Sequence, residues 1–218
     1  AEALIRWNHP VLGKISPIDF IPQLEKTSYI NSLTYWILNR VIEDLKDWKS
    51  KGIDLKISIN ITPYNIQSKE FVKKMLQLMD NFKESFSVEL ELTESALLED
   101  NSNARHFLKE LRKAGIRLAL DDFGTGYSNF HYLNELRPDI IKIDRSFTAK
   151  AIKDAKEYDL LKRFCTMIHR LNIKICIEGV ETEVEWEKIR LLDPDYSQGY
   201  LWGKPCSFDE LLQKGLRV

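Results

Sequence analysis

The sequence has few cysteines, no long apolar run, no excess of either charge and no flexible linker. Its three cysteines, Cys165, Cys176 and Cys206, form no CxxC pair. That excludes a disulfide framework and a cysteine–zinc site, and reads as free thiols in a reducing compartment. No apolar run approaches the ~18 residues of a membrane helix, and no basic-then-apolar signal segment opens the chain. Lys and Arg total 32 against 33 Asp and Glu, a formal charge of -1. Bulk charge therefore points neither to a nucleic-acid polymer nor to an anionic membrane, and an anionic ligand must be handled by a local site. His9, His106, His131 and His169 are scattered, which argues against a histidine metal site. The chain begins at Ala1 rather than Met. The expectation is a soluble, cytoplasmic piece of a longer polypeptide, with no membrane contact by this domain.

What is present is a core-forming composition, 44% hydrophobic and 30% charged over 218 residues, a length that suits one domain of the α/β-barrel size of about 200–250 residues. Short alternating runs read as strands: Leu55–Ile61, Val88–Leu92, Ile116–Asp121, Ile173–Glu178 and the apolar Ile140–Ile143. Between them lie helical stretches. One is expected over Asn31–Lys51, with Leu33, Trp36, Ile37, Val41, Leu45 and Trp48 on one stripe and Gly52 as its cap. Ser16-Pro17 starts an earlier helix, and others fit Lys69–Met79, Ser102–Ala114 before Gly115, Ala149–Leu171 and Val184–Leu192. No boundary is placed, so residues 1–218 read as one domain. Strands separated by helices imply parallel βαβ units, in an open doubly wound sheet or a closed barrel. With the segments around Glu2 and Tyr196 there are seven strands. A barrel needs eight, which suggests a chain that starts inside a barrel and lacks its first strand.

The polar residues at the strand ends carry the functional signal. Asn60, Glu91, Asp121 with Asp122, Lys142, Glu178 and Gln198 follow one another at separations of 31, 30, 21, 36 and 20 residues. In a barrel these carboxyl ends converge on one rim, and Glu2 joins them. Carboxylates gathered that densely repel or take up protons unless cations compensate them. Oxygen-only donors suit Mg²⁺ or Mn²⁺ rather than zinc, and adjacent Asp121 and Asp122 suit two ions. Taken singly the residues are weaker. Asp121-Asp122 before Phe123-Gly124-Thr125-Gly126 also fits a turn cap, Asn60 a satisfied turn, and Glu91 and Glu94 a solvated strand end and helix start. Lys142 inside Ile-Ile-Lys-Ile is harder to dismiss, because an ammonium in an apolar strand needs a partner. Gly124 and Gly126 begin a GxGxxG spacing, but Asn129 breaks it and excludes a dinucleotide fingerprint.

These residues resemble the EAL family of bacterial cyclic-di-GMP phosphodiesterases. Seven blocks stand in order: Glu2-Ala3-Leu4-Ile5-Arg6-Trp7, Ser58-Ile59-Asn60-Ile61-Thr62-Pro63, Glu91-Leu92-Thr93-Glu94, Asp121 to Ser128, Lys142-Ile143-Asp144, Glu178-Gly179-Val180-Glu181 and Gln198 to Pro205. The resemblance implies an α/β, TIM-like (β/α)8 barrel with an antiparallel first strand, that strand missing here. It also implies two divalent ions, Mg²⁺ or Mn²⁺, and hydrolysis of cyclic-di-GMP to linear pGpG. By motif match Glu2, Asn60, Glu91 and Asp121 would hold one ion and Asp121 with Asp122 the other. Lys142 would position the attacking water, Glu178 would be the general base and Gln198 would complete the second ion's surroundings. Glu94 would brace the loop after Asp122, Glu181 would support the site, and Arg6 with Leu4 would contact the ligand. Expected partners are cyclic-di-GMP, a second copy in a homodimer, and sensory or GGDEF domains elsewhere in the full-length chain. Trp202 stands where the family more often has Phe or Tyr.

Two function classes follow, an active metal-dependent phosphodiesterase and a non-catalytic cyclic-di-GMP receptor. A barrel acting on another phosphate ester is a third. Retention of every matched position favours the first.

Overall fold

The computed structural model describes residues 1–81, 87–93, 102–124, 133 and 137–213. The chain packs as two compact units, the first Ala1–Asp121 with Ser128–Asp139, the second Asp122–Tyr127 with Ile140–Val218.

The first unit opens with a small antiparallel pair, β1 (Trp7–His9) and β2 (Gly13–Ile15), with Trp7 opposite Ile15. Two helices follow, α1 (Pro17–Leu24) and α2 (Tyr29–Ser50). Then come β3 (Lys56–Asn60), α3 (Pro63–Gln67), α4 (Lys69–Asp80), β4 (Ser87–Thr93), α5 (Ser102–Ala114) and β5 (Arg117–Phe123), whose last two residues belong to the second unit. β3 pairs with β4 and β4 with β5, all parallel. The core packs the inward residues of these strands, among them Ile57, Ile59, Leu90, Leu92, Leu118 and Leu120, with helical Leu38, Met75, Phe107 and Leu111 also buried. Each fully buried Leu, Ile, Met or Phe contributes roughly 1.5–3 kcal/mol.

The second unit carries β6 (Ile140–Ile143), α6 (Arg145–Lys153), α7 (Ala155–Arg170), β7 (Lys174–Ile177), α8 (Glu183–Ile189) with a 3-10 turn (Arg190–Leu192), β8 (Tyr196–Ser197) and α9 (Phe208–Gln213). β6, β7 and β8 pair in that order, again parallel. Ile141, Ile143, Ile175 and Ile177 are completely buried, as are Leu161 and Ile168 of α7. Phe123 stacks on Phe164, centroids 4.9 Å apart.

Most expected elements are present, with four differences. The segment around Glu2 is not a strand; Glu2 makes an isolated parallel bridge to Ser58. The helix expected over Ala149–Leu171 is two helices, broken at Asp154, where the backbone is extended (φ -125°, ψ 127°). The Asp154 carboxylate accepts hydrogen bonds from the amides of Lys156 and Glu157 at 2.7 and 3.3 Å. A short acidic side chain that competes for backbone donors starts a helix better than it continues one. The buried stripe of α2 is Ile30, Thr34, Leu38, Val41, Ile42 and Leu45, while Trp36 is 59% exposed. The period is right, but the face is turned by part of a revolution. The turn is tied to Thr34, whose hydroxyl donates to Ile30 O (2.9 Å) and to Asn65 Oδ1 (3.2 Å). Finally, the β1–β2 pair was not expected, because its six residues are mostly exposed and show no apolar alternation. Among the described residues no helix is long and apolar enough to cross a membrane.

The cysteines behave as the packing dictates. Cys165 and Cys176 are buried and Cys206 is exposed. Burial pushes the Cys165 thiol up to about 12. At pH 8 its thiolate fraction is then about one part in ten thousand, and the thiolate is the reactive form. A disulfide-exchange thiol assay on native protein at pH 8 is expected to titrate one fast thiol, lost in Cys206→Ser, with the other two appearing on denaturation. Three fast thiols in native protein would contradict this packing.

Candidate active site

In the first unit three of the expected metal ligands, Asn60, Glu91 and Asp121, lie toward the carboxyl ends of neighbouring strands. Asn60 closes β3, and its Nδ2 donates to Glu2 Oε1 at 2.7 Å. The Glu2–Ser58 bridge explains this contact, since it lays the chain's start alongside β3, with Ala3 N–H donating to Ser58 O at 2.9 Å. Glu91 stands directly opposite Asn60 in the β3–β4 register. Asp121 lies two residues beyond Ala119, the partner of Glu91, so it projects to the same side. Glu91 is only 2% exposed, and Oδ1 of Asp121 is shut off from solvent. Leu4 is 44% exposed, and Arg6 Nη1 donates to Ile5 O at 2.9 Å.

The loop after β3 is fixed by polar contacts that sequence reading missed. Thr62 and Asn65 form a reciprocal capping box at the start of α3. Asn65, fully buried, also donates from Nδ2 to Asn31 Oδ1 at 2.9 Å. The available signal was Thr-Pro followed two residues later by Asn, a helix start with proline at its first position.

In the second unit Lys142 is 3% exposed, in the middle of a strand buried at every position. Its Nζ meets Glu178 Oε1 at 2.9 Å. The backbone sets this up, because Glu178 N–H donates to Ile143 O at 3.0 Å and seats the end of β7 against β6. Asp144 N–H donates to Phe123 O at 3.2 Å, which ties Phe123 to the same place. Asp144 also caps α6 through Ser146 N–H at 2.8 Å. Gln198 N–H donates to Ile177 O (2.9 Å), and Gln198 O accepts from Val180 N–H (3.2 Å). Glu181 pairs with Arg145 Nη2 at 2.8 Å, a partner the sequence did not reveal. Asp122 is exposed with a left-handed φ of 55°, a conformation that short Asp side chains tolerate. Glu94 and residues 125–132 lie outside the described residues.

The structure therefore brings together Glu2 with Asn60, Glu91 across from Asn60, Lys142 with Glu178, and Glu181 with Arg145. Among the described residues no three His, Cys, Asp or Glu side chains gather into a metal-holding group. Carboxylates of like charge stay apart unless a cation lies between them. The donor chemistry nonetheless fits a hard divalent ion, since Glu2, Asn60, Glu91 and Asp121 offer oxygen alone. A cavity of about 340 Å³ lined by α3, α4 and α5, including Lys69, Lys73 and His106, contains none of these residues.

The EAL domain model matches residues 1–205. This chain belongs to the EAL domain family. Its EAL sequence is 34% identical over 211 residues to the cyclic di-GMP phosphodiesterase PA2567 of Pseudomonas aeruginosa, covering 96% of this chain and 36% of that protein. It thus spans about a third of that relative's length. Among solved structures it is similar to the PaMucR phosphodiesterase in complex with c-di-GMP, with TM-score 0.86 and 32% identity over 96% of this chain and 86% of that one. The EAL enzyme Bd1971 in its cAMP- and cyclic-di-GMP-bound form gives TM-score 0.87 and 31% identity, over 98% of this chain and 59% of that one. The expected class, α/β of the TIM-like type, is the one these EAL relatives share with it.

Two EAL motif glycines carry different loads. At Gly199 a Cβ would lie 2.0 Å from Val180 O and 2.5 Å from Val180 N, both backbone, whereas at Gly203 nothing lies within 4 Å. Gly199→Ala must push apart the strand-end loops that hold Glu178 and Gln198. It is expected to cost at least about 2 kcal/mol in urea unfolding, and Gly203→Ala less than about 0.5 kcal/mol. Equal small effects would show that the approach at Gly199 is not as close as described.

Proposed function

We propose that this chain hydrolyses cyclic-di-GMP to linear pGpG in the presence of Mg²⁺ or Mn²⁺. The observation that carries the reading is the Lys142–Glu178 pair, an ammonium held 2.9 Å from a carboxylate at the end of a buried strand. Support for the substrate comes from family membership together with relatives named cyclic di-GMP phosphodiesterases. Receptor-type loss of the strand-end groups is not what this sequence carries, since every matched position is retained.

By motif match Glu2, Asn60, Glu91 and Asp121 would hold one ion, and Asp121 with Asp122 the other. Such ions, when bound, polarise phosphoryl oxygens and lower the pKa of coordinated water. The chain's own groups divide the remaining work. Glu178 takes the proton from the water that attacks phosphorus, and Lys142 holds that water in line. The P–O3′ bond breaks, and the departing 3′ oxygen picks up a proton to leave a linear product with a 5′ phosphate. Arg6 suits a phosphate, because its guanidinium offers two donors to two oxygens. Leu4 would pack against the ligand and Gln198 would complete the second ion's surroundings. Glu94 and Glu181 would brace the loops.

Lys142 is asked to act on the transition state more than on the ground state. The test is incubation of the protein with cyclic-di-GMP and Mg²⁺ or Mn²⁺, with products separated by chromatography. The expected result is pGpG, none in the presence of EDTA, and in Lys142→Ala a kcat lower by about a hundredfold or more with KM within about threefold. Tight binding with no product under either ion would assign the chain to the receptor class. A Lys142→Ala kcat within about tenfold of wild type, roughly 1.4 kcal/mol, would remove that residue from the mechanism.

A further inference from the structure

We propose that Arg145 is a positioning residue that holds Glu178 in register with Lys142 by clamping the loop after β7. The kinetic part of this inference rests on the phosphodiesterase reading above. Arg145 is the first residue of α6, three positions after Lys142 on the same strand-to-helix connection. Its guanidinium reaches Glu181 at 2.8 Å, three positions after Glu178. One ion pair therefore joins the connection carrying the ammonium to the loop carrying the carboxylate.

Between the two lies Gly179, with a left-handed φ of +74°. A Cβ there would lie 2.3 Å from Arg145 Cγ and 2.6 Å from its Cβ. The aliphatic stem of Arg145 thus covers the loop backbone where a side chain would otherwise stand, while its head holds the far end. The rest of the loop is hydrogen-bonded on either side. Glu178 N–H donates to Ile143 O, Val180 N–H to Gln198 O, and Glu181 N–H to Glu185 Oε2 at 2.7 Å. Gly179 is the most permissive hinge in this stretch, and the Arg145 stem is what fills the space beside it. The side chains of Arg145 and Glu181 are 61% and 34% exposed. Pairs this exposed add little to global stability, so the contact matters for where Glu178 points.

The test combines amide hydrogen exchange with steady-state kinetics on Arg145→Ala, Arg145→Lys, Glu181→Gln and the double variant Arg145→Ala/Glu181→Gln. In Arg145→Ala the amides of Val180 and Glu181 are expected to exchange about tenfold faster, while those of β3 and β4 are unchanged. Turnover of cyclic-di-GMP with Mn²⁺ is expected to fall about 10–100-fold in kcat, with KM within about threefold, as a small misplacement of a catalytic group produces. Arg145→Lys should recover part of the loss, and the double variant should be no worse than the more impaired single one. Unchanged exchange at Val180 and Glu181 would overturn the clamp. Faster exchange with unaltered kcat in an active protein would overturn the positioning role. If the wild-type protein forms no product at all, the phosphodiesterase reading falls separately and the exchange measurement alone decides the clamp.

Discussion

A charge buried inside a parallel sheet needs a counter-charge within reach, and in the second unit the connection after β7 supplies it. Lys142 is 3% exposed, flanked by Ile141 and Ile143, which are completely buried. Leaving such an ammonium unpaired costs several kcal/mol or shifts it to its neutral form. Glu178 answers it from just past the end of the adjacent strand, and the parallel β6–β7 register with Ile143 opposite Ile177 brings it there. Register, not propensity, places the partner.

The same economy governs the connections. Each strand end that carries an expected functional residue is held by backbone hydrogen bonds to its neighbour. Ile61 N–H bonds to Glu91 O, Asp144 N–H to Phe123 O, Glu178 N–H to Ile143 O and Gln198 N–H to Ile177 O. Such bonds extend the ladders one step past the strands, so the side chains that follow start from fixed positions. Parallel sheets buried on both faces leave few solvent-facing positions along the strands. The buried polar residues inside these strands are few, Ser58 of β3, Glu91 of β4 and Lys142 of β6 among the described residues.

Much of this was legible in the residues. Alternation found β3, β4, β5 and β7 to within a residue or two, a short apolar run found β6, and Gly52 and Gly115 mark helix ends with left-handed φ of 78° and 70°. The strand-end residues stood out because a carboxylate, amide or ammonium interrupts an otherwise apolar run. What was hidden depended on contacts distant in sequence. The phase of α2 is set by Thr34 reaching Asn65, 31 residues away. The Glu2–Asn60 hydrogen bond spans 58 positions, and the Glu181–Arg145 pair joins a loop to a helix start with no local pattern. The break at Asp154 was legible in principle, but a long amphipathic period outweighed one capping residue. The expected role of Glu94 falls outside the described residues.

On the proposed function, the buried Lys142–Glu178 pair serves chemistry rather than the fold. A buried ion pair replaced by apolar residues of similar volume is often neutral or stabilising by about 1–4 kcal/mol, whereas a pair broken on one side costs about 3–5 kcal/mol. The most direct measurement is the urea unfolding free energy of Lys142→Met/Glu178→Leu against wild type. The double variant is expected to unfold with a free energy no more than about 1 kcal/mol below that of wild type, or above it. A loss of about 3 kcal/mol or more would show that the pair holds the second unit together, and would contradict the claim that function is why it is there.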